Sequence, residues 1–74
     1  MYVMTKSELQ RLIGQRIVKL RTQKGWSQSD LARACNKDRQ SIERMENGKV
    51  APSIYLLYEI SVALEIPISE LVTL

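Results

Sequence analysis

The chain has 74 residues, of which 45% are apolar, and carries a formal net charge of +3. A chain of this length forms one domain, here residues 1–74, and buries only about 60% of its unfolded surface, so function is expected on the surface. A single cysteine cannot form a disulfide within the chain. Because the chain also has no histidine, we expect no metal site, no cofactor and no enzyme active site.

The first predicted helix begins at a capping box, Thr5 to Glu8, in which a hydroxyl and a carboxylate accept hydrogen bonds from backbone N–H groups. Gly25 is expected to end this helix, with Trp26 following in the core. Four apolar residues at helical spacing form its predicted core face: Leu9, Ile13, Ile17 and Leu20.

Two short helices are predicted next. A second capping box, Ser27 to Asp30, begins a helix to Ala34 or Cys35. After a tight turn, Asp38 is the N-cap of a helix from Arg39 to Glu46. The residues expected to face inward from these two helices are Leu31, Ala32, Cys35, Ile42 and Met45.

Ser53 is expected to cap a fourth helix to about Glu65, and Pro67 then interrupts the chain before a last helix from about Ile68 to Thr73. The fourth helix is predicted to place three apolar residues in the core, namely Leu57, Ile60 and Leu64. We therefore predict an all-α fold of five helices.

The charges are unevenly distributed along the chain. Residues 1–50 hold all eleven basic residues against five acidic ones, whereas residues 51–74 hold three glutamates and no base. A basic front part favours a polyanion as partner, although a solvated surface would show the same charge. No apolar run could span a membrane, and the start of the chain lacks the apolar stretch of a secretory signal, so we expect a cytoplasmic protein with no membrane partner.

The second and third predicted helices satisfy the requirements of a helix-turn-helix. This motif needs a small residue where the helices meet, a turn residue that tolerates the left-handed conformation, and apolar anchors on the second helix. Ala32, Asn36, Ile42 and Met45 occupy those places in order. Asparagine stands where glycine is more usual, but it is the next most tolerant residue there.

Because Ile42 and Met45 face inward, the remaining side chains of the third helix face outward, among them Arg39 and Gln40 in its first turn. Arginine donates two parallel hydrogen bonds to guanine, and glutamine both donates to and accepts from adenine. The first turn of a recognition helix reaches deepest into the major groove.

These residues resemble a known family. The run from Gln40 to Lys49 (QSIERMENGK), with Ser27-Gln28 before it and Ala63 to Pro67 (ALEIP) and Glu70-Leu71 after it, is similar to the Cro/C1-type or XRE family of helix-turn-helix proteins, which includes lambdoid phage repressors and restriction-modification controller proteins. The resemblance implies a lambda-repressor-like DNA-binding domain with its helix-turn-helix at about residues 28–47, and double-stranded DNA as the partner.

The resemblance also implies roles for single residues. The base-reading side chains would be Arg39, Gln40 and Arg44; contacts to a base or a phosphate would come from Lys37, Ser41 and Glu43; phosphate contacts would come from Gln28, Asn47 and Lys49. Arg21 and Glu46 match an ion pair that fixes the third helix rather than touching DNA. In the alternative reading, Arg44 and Lys49 are solvated charges and Glu43 is only an intrahelical partner of Arg39 or Lys37.

The end of the chain carries more apolar surface than so small a domain is expected to bury. We therefore predict a two-fold homodimer through about residues 54–74, unless these side chains wrap the core of their own domain. The expected interface residues are Tyr55, Tyr58, Val62, Ile66, Ile68, Val72 and Leu74. Such a dimer would bind an inverted-repeat operator.

The expected function is sequence-specific regulation of transcription, without a small-molecule effector. One alternative is an antitoxin that binds DNA and a toxin protein, and another is an interaction module that reads no bases. The operator, the controlled genes and the sign of regulation stay open; activation would add RNA polymerase as a partner.

Overall fold

The computed structural model describes residues 3–74, so the first two residues of the predicted domain lie outside the described range. The helices are α1 (Lys6–Gln23), α2 (Gln28–Cys35), α3 (Arg39–Glu46), α4 (Ile54–Leu64) and α5 (Ile68–Leu71). Helix α3 packs against α1 and α2, while α4 packs against α2 and α5. The all-α, five-helix prediction is confirmed, and no helix in the described range is long and apolar enough to cross a membrane.

The core lies where these helices meet and matches the predicted faces except at Leu9, Leu20 and Trp26; Leu20 and Trp26 pack against the core but are only partly buried. Leu9 is 42% exposed, so its assignment to the core face of α1 was wrong. Helix α1 has 18 residues and α3 only eight, so the first turn of α1 projects past the core, which begins at Ile13. The buried apolar residues are Ile13, Ile17, Leu31, Ala32, Cys35, Ile42, Met45, Leu57, Ile60, Leu64 and Leu71.

The helix starts follow the predicted caps. The N–H of Glu8 donates to Thr5 Oγ1 at 3.1 Å, and the N–H of Asp30 donates to Ser27 Oγ at 3.1 Å, so both capping boxes form. Ser53 Oγ likewise accepts from a backbone N–H of α4 at 3.0 Å. These bonds satisfy donors that have no partner within the helix.

Asp38 occupies the N-cap position of α3, but its side chain accepts a hydrogen bond from the Ser41 hydroxyl instead of from a backbone N–H. This bond lowers the pKa of Asp38 below its ordinary value. The backbone start of α3 was therefore predicted correctly, whereas the capping hydrogen bond was not.

Helix α4 ends within one residue of the predicted end, whereas α5 is two residues shorter than predicted. Helix α4 ends at Leu64 because Glu65 adopts the left-handed conformation, with φ at 59°. Helix α5 ends at Leu71 rather than Thr73. Arg16 on α1 holds α5 in place, since its Nε donates to the Glu70 carbonyl at 2.7 Å and its Nη2 to Glu70 Oε2 at 3.0 Å.

Candidate nucleic-acid interface

The turn between α2 and α3 sets the direction in which α3 leaves the domain. Asn36 adopts the left-handed conformation, with φ at 57° and ψ at 44°. The N–H of Lys37 donates to the Ala32 carbonyl at 2.8 Å, which closes the end of α2. An asparagine tolerates this conformation better than most residues, so the turn forms without glycine.

Helix α3 has one buried and one exposed side. Ile42 and Met45 are 0% and 1% exposed, respectively. The opposite side presents four exposed polar residues, namely Arg39, Gln40, Ser41 and Arg44. The apolar anchors therefore hold the helix while its base-reading candidates point toward solvent, as a recognition helix requires.

A buried ion pair joins the end of α3 to α1. Arg21 Nε lies 2.7 Å from Glu46 Oε2, and Arg21 Nη2 lies 2.9 Å from Glu46 Oε1, so the contact is bidentate. Arg21 also donates to the Trp26 carbonyl at 2.8 Å. The hydrogen bond to Glu46 raises the pKa of Arg21 above its ordinary value. With the Glu46 side chain 2% exposed, the pair is satisfied inside the protein and fixes the position of α3.

Gln28 extends this pair to the recognition face. Its Nε2 donates to Glu46 Oε1 at 3.0 Å, and its Oε1 accepts from Arg39 Nη1 at 3.1 Å. Arg39 Nη1 also lies 3.0 Å from Glu43 Oε2. The motif pointed to Gln28 only as a phosphate contact, whereas the structure makes its side chain a link between the buried pair and Arg39.

Two glycines allow α1 to approach the end of α3. A Cβ atom on Gly14 would lie 2.5 Å from the Glu46 carbonyl oxygen and 2.7 Å from that of Met45, closer than such atoms can pack. Gly48 has φ at 72° and lies against the backbone of Arg11. Sequence reasoning did not single out Gly14, although a glycine inside a predicted helix is a signal of close packing.

The other predicted contact residues fall into two groups. Asn47 and Lys49 are exposed at the end of α3. Lys37, in contrast, is held by α4, because its Nζ lies 3.4 Å from Glu59 Oε1, and Glu43 is paired with Arg39. Asn47 and Lys49 are thus presented to solvent, while Lys37 and Glu43 already have partners within the protein.

Five of the seven predicted dimer residues are exposed, whereas Ile66 and Ile68 are partly buried against the core of their own domain. On α4 the rings of Tyr55 and Tyr58 lie side by side, with centroids 6.1 Å apart. The exposed members are Tyr55, Tyr58, Val62, Val72 and Leu74. We call these five residues the apolar surface.

Comparison with known proteins places this geometry in a family. The HTH_3 helix-turn-helix model matches residues 17–71. An HTH-type transcriptional regulator of Sinorhizobium fredii, y4dJ, is 30% identical over 66 residues, which cover 89% of this chain and 86% of that protein.

Solved structures show the same fold. The restriction-modification controller protein C.AhdI of Aeromonas hydrophila has a TM-score of 0.80 and 36% identity, over 82% of this chain and 92% of that one. The hypothetical transcription factor NHTF from Neisseria has a TM-score of 0.84 at 24% identity, over 97% of this chain and 83% of that one, and supports the fold alone. The resemblance predicted from the sequence is confirmed: the chain belongs to the HTH_3 or XRE-type family of helix-turn-helix DNA-binding regulators.

Proposed function

We propose that the protein regulates transcription by binding an inverted-repeat operator as a homodimer, with one α3 helix of each copy in the major groove. The observation that carries this proposal is the exposed row of Arg39, Gln40 and Arg44 on α3, opposite the buried Ile42 and Met45. A rigid helix with hydrogen-bonding side chains on one side fits a groove whose base edges present donors and acceptors.

Base recognition depends first on Arg39 and Gln40. A guanidinium that donates to guanine O6 and N7 and an amide that pairs with adenine N6 and N7 each discriminate between bases by about 1–3 kcal/mol. Gln28 and Glu43 hold the Arg39 guanidinium in place before DNA arrives, which reduces the conformational entropy lost on binding. Arg44, one turn further along α3, reads a neighbouring base.

Contacts to the DNA backbone lie on both sides of the base-reading side chains. The N-terminus of α2, at Gln28, offers a phosphate N–H groups that have no partner within the helix, and Asn47 and Lys49 contact phosphates at the end of α3. Ser41 and Lys37 border the groove and contact a base or a phosphate once DNA replaces their present partners, Asp38 and Glu59. Glu43 stays paired with Arg39 and can accept a hydrogen bond from a base edge. The phosphate contacts position the protein without specifying sequence.

The apolar surface supports the homodimer. Exposed tyrosine, valine and leucine side chains gathered on α4 and at the chain end favour association with a second copy, in which residues 54–74 form a two-fold interface and Ile66 and Ile68 contribute their exposed edges. Two recognition helices would then lie about 34 Å apart, one turn of B-DNA.

The same surface gives a second candidate function, an antitoxin in which the apolar surface binds a toxin protein. The likeness to a restriction-modification controller favours the regulator, because that protein shares 36% identity over most of both chains. In either case we propose a non-enzymatic protein of the cytoplasm in which residues 1–74 form one domain that binds no cofactor or small-molecule ligand.

Selection of binding sites from random duplexes tests this function. We expect the purified protein to enrich an inverted repeat whose half-site centres are one helical turn apart. Enrichment of a single half-site would contradict the homodimer but keep DNA reading by α3. Failure to enrich any sequence, with no binding at low salt, would contradict the proposed function itself.

A further inference from the structure

The positive charge of this protein is only partly neutralised by its own acids. Among residues 3–74, ion pairs engage Arg16, Arg21, Arg33, Lys37 and Arg39. Lys24 lies 5.0 Å from the centre of the Trp26 ring. In that part of the chain, five basic residues have neither kind of contact: Lys6, Arg11, Lys19, Arg44 and Lys49. Arg44 and Lys49 belong to the proposed DNA interface, so the other three need an explanation.

Arg11 differs from Lys6 and Lys19 in lying directly against the proposed interface. A Cβ atom on Gly48 would be 3.0 Å from the Arg11 Cα and 3.4 Å from its Cβ. Gly48 stands between Asn47 and Lys49, the two residues proposed to contact phosphates. The Cβ of the exposed Arg11 side chain therefore lies beside the turn that carries Asn47 and Lys49.

This turn is fixed to α1, so the position of Arg11 relative to Lys49 is also fixed. Gln10 Nε2 donates to the Gly48 carbonyl at 3.1 Å. One helical turn further along α1, Gly14 rests against the carbonyls of Met45 and Glu46. The second turn of α1 and the end of α3 therefore form one rigid surface.

We infer that Arg11 binds a DNA phosphate next to those contacted by Asn47 and Lys49, which makes α1 part of the nucleic-acid interface. The guanidinium is exposed, always charged and matched in shape to two phosphate oxygens. The contact extends the positive surface along the DNA strand beyond α3 and contributes affinity without sequence preference. This inference rests on the proposed DNA binding.

Lys19 provides a matched control on the same helix. It is exposed and has no ion-pair partner among residues 3–74, but it lies eight residues from Arg11, about 12 Å along the helix axis. Replacing either residue with glutamine removes one charge from α1. Only the change at Arg11 should remove a phosphate contact.

The experiment measures binding of a labelled random-sequence duplex by fluorescence anisotropy over a series of KCl concentrations. For Arg11→Gln we expect the slope of log K against log salt to become shallower by about 0.9 for each bound protomer. Lys19→Gln should keep the wild-type slope, and Arg11→Lys, which retains the charge, should restore most of it. Thermal melting should be the same for all four proteins, because Arg11 makes no hydrogen bond or ion pair within residues 3–74.

Equal slopes for Arg11→Gln and the wild type would overturn the inference, as would an equal decrease for Arg11→Gln and Lys19→Gln. If Arg11→Gln melted early, its slope would be measured well below its melting temperature, where the variant is folded, and the same two outcomes would decide. If the wild-type protein bound no duplex even at low salt, the proposed function itself would be refuted. That outcome differs from a wild-type slope for Arg11→Gln, which would refute only the inference about Arg11.

Discussion

The first three helices and the last two present different surfaces. Residues 1–50 carry a net charge of +6 and residues 51–74 a net charge of −3. On the α1–α3 side, ion pairs and hydrogen bonds hold polar side chains in place, as in the series from Arg21 through Glu46 and Gln28 to Arg39. On α4 the exposed residues are largely apolar. One small core therefore orients two different surfaces, a charged one around α3 and a largely apolar one on α4.

The largest expected effect comes from breaking the buried pair on the DNA side. Glu46→Ala leaves the Arg21 guanidinium buried without its partner, so we expect the free energy of unfolding to fall by about 3 kcal/mol. For a domain of this size that lowers the melting temperature by about 15 °C. Thermal unfolding followed by circular dichroism measures it.

Glu43→Ala is the matched control for Glu46→Ala. It removes a glutamate from the same helix, but from an exposed pair with Arg39, which should cost under about 1 kcal/mol. Unchanged melting of Glu46→Ala together with lost DNA binding would contradict the structural role of the buried pair.

The next largest effect tests the contact between α1 and α3. Gly14→Ala places a Cβ against two backbone carbonyls, so we expect a loss of about 2 kcal/mol in urea unfolding. Alanine is the better helix former by about 1 kcal/mol, so a weakly packed site would gain stability instead. Gln15→Ala serves as the control, because Gln15 is the next residue of α1 and its side chain is exposed. A gain in stability for Gly14→Ala would disprove the close approach.

The apolar surface is tested by Tyr58→Glu. Tyr58 is 54% exposed, so we expect the fold to remain intact while the charge weakens self-association. A loss of about 2 kcal/mol raises the dimer dissociation constant about 30-fold. Analytical ultracentrifugation measures this change, with Lys19→Ala as a control away from α4. A wild-type protein that is monomeric at micromolar concentration would count against the dimer.

The smallest expected effect concerns the start of α2. Hydrogen bonds from the Ser27 N–H and hydroxyl lower the pKa of Asp30 below its ordinary value. A carboxyl whose pKa is lower in the folded state stabilises the folded protein at pH values above the pKa of that carboxyl in the unfolded chain. This stabilisation is lost as the pH falls through the folded-state pKa. We therefore expect Asp30→Asn to lower the melting temperature at neutral pH and to approach the wild type in acid. A constant difference at every pH would contradict this linkage.

The sequence predicted the features that depend on near neighbours in the chain. Capping boxes span four residues and helical periodicity repeats within a few turns, so the helix starts and ten of the eleven buried apolar residues were identified from local pattern, while Leu71 was placed in the last helix. The Leu9 error arose because periodicity shows which side of a helix is apolar but not how far its neighbours extend.

The side-chain links of the site could not be predicted in the same way. Gln28 and Glu46 are 18 residues apart in the chain, and Arg16 and Glu70 are 54 apart. Such contacts depend on the packing of whole helices, which local pattern does not specify. The family resemblance indicated the Arg21 and Glu46 pair, but the link from Gln28 to Arg39 was found only in the structure.

We propose that α3 reads bases with Arg39 and Gln40, while Lys49 contacts only the DNA backbone. Site selection from random duplexes with the wild type and three alanine variants tests it most directly. Arg39→Ala and Gln40→Ala should each relax the preference at one position of each half-site, whereas Lys49→Ala should weaken all sites alike. If the sites selected by Arg39→Ala and Gln40→Ala kept every base preference of the wild type, these two residues would not read bases.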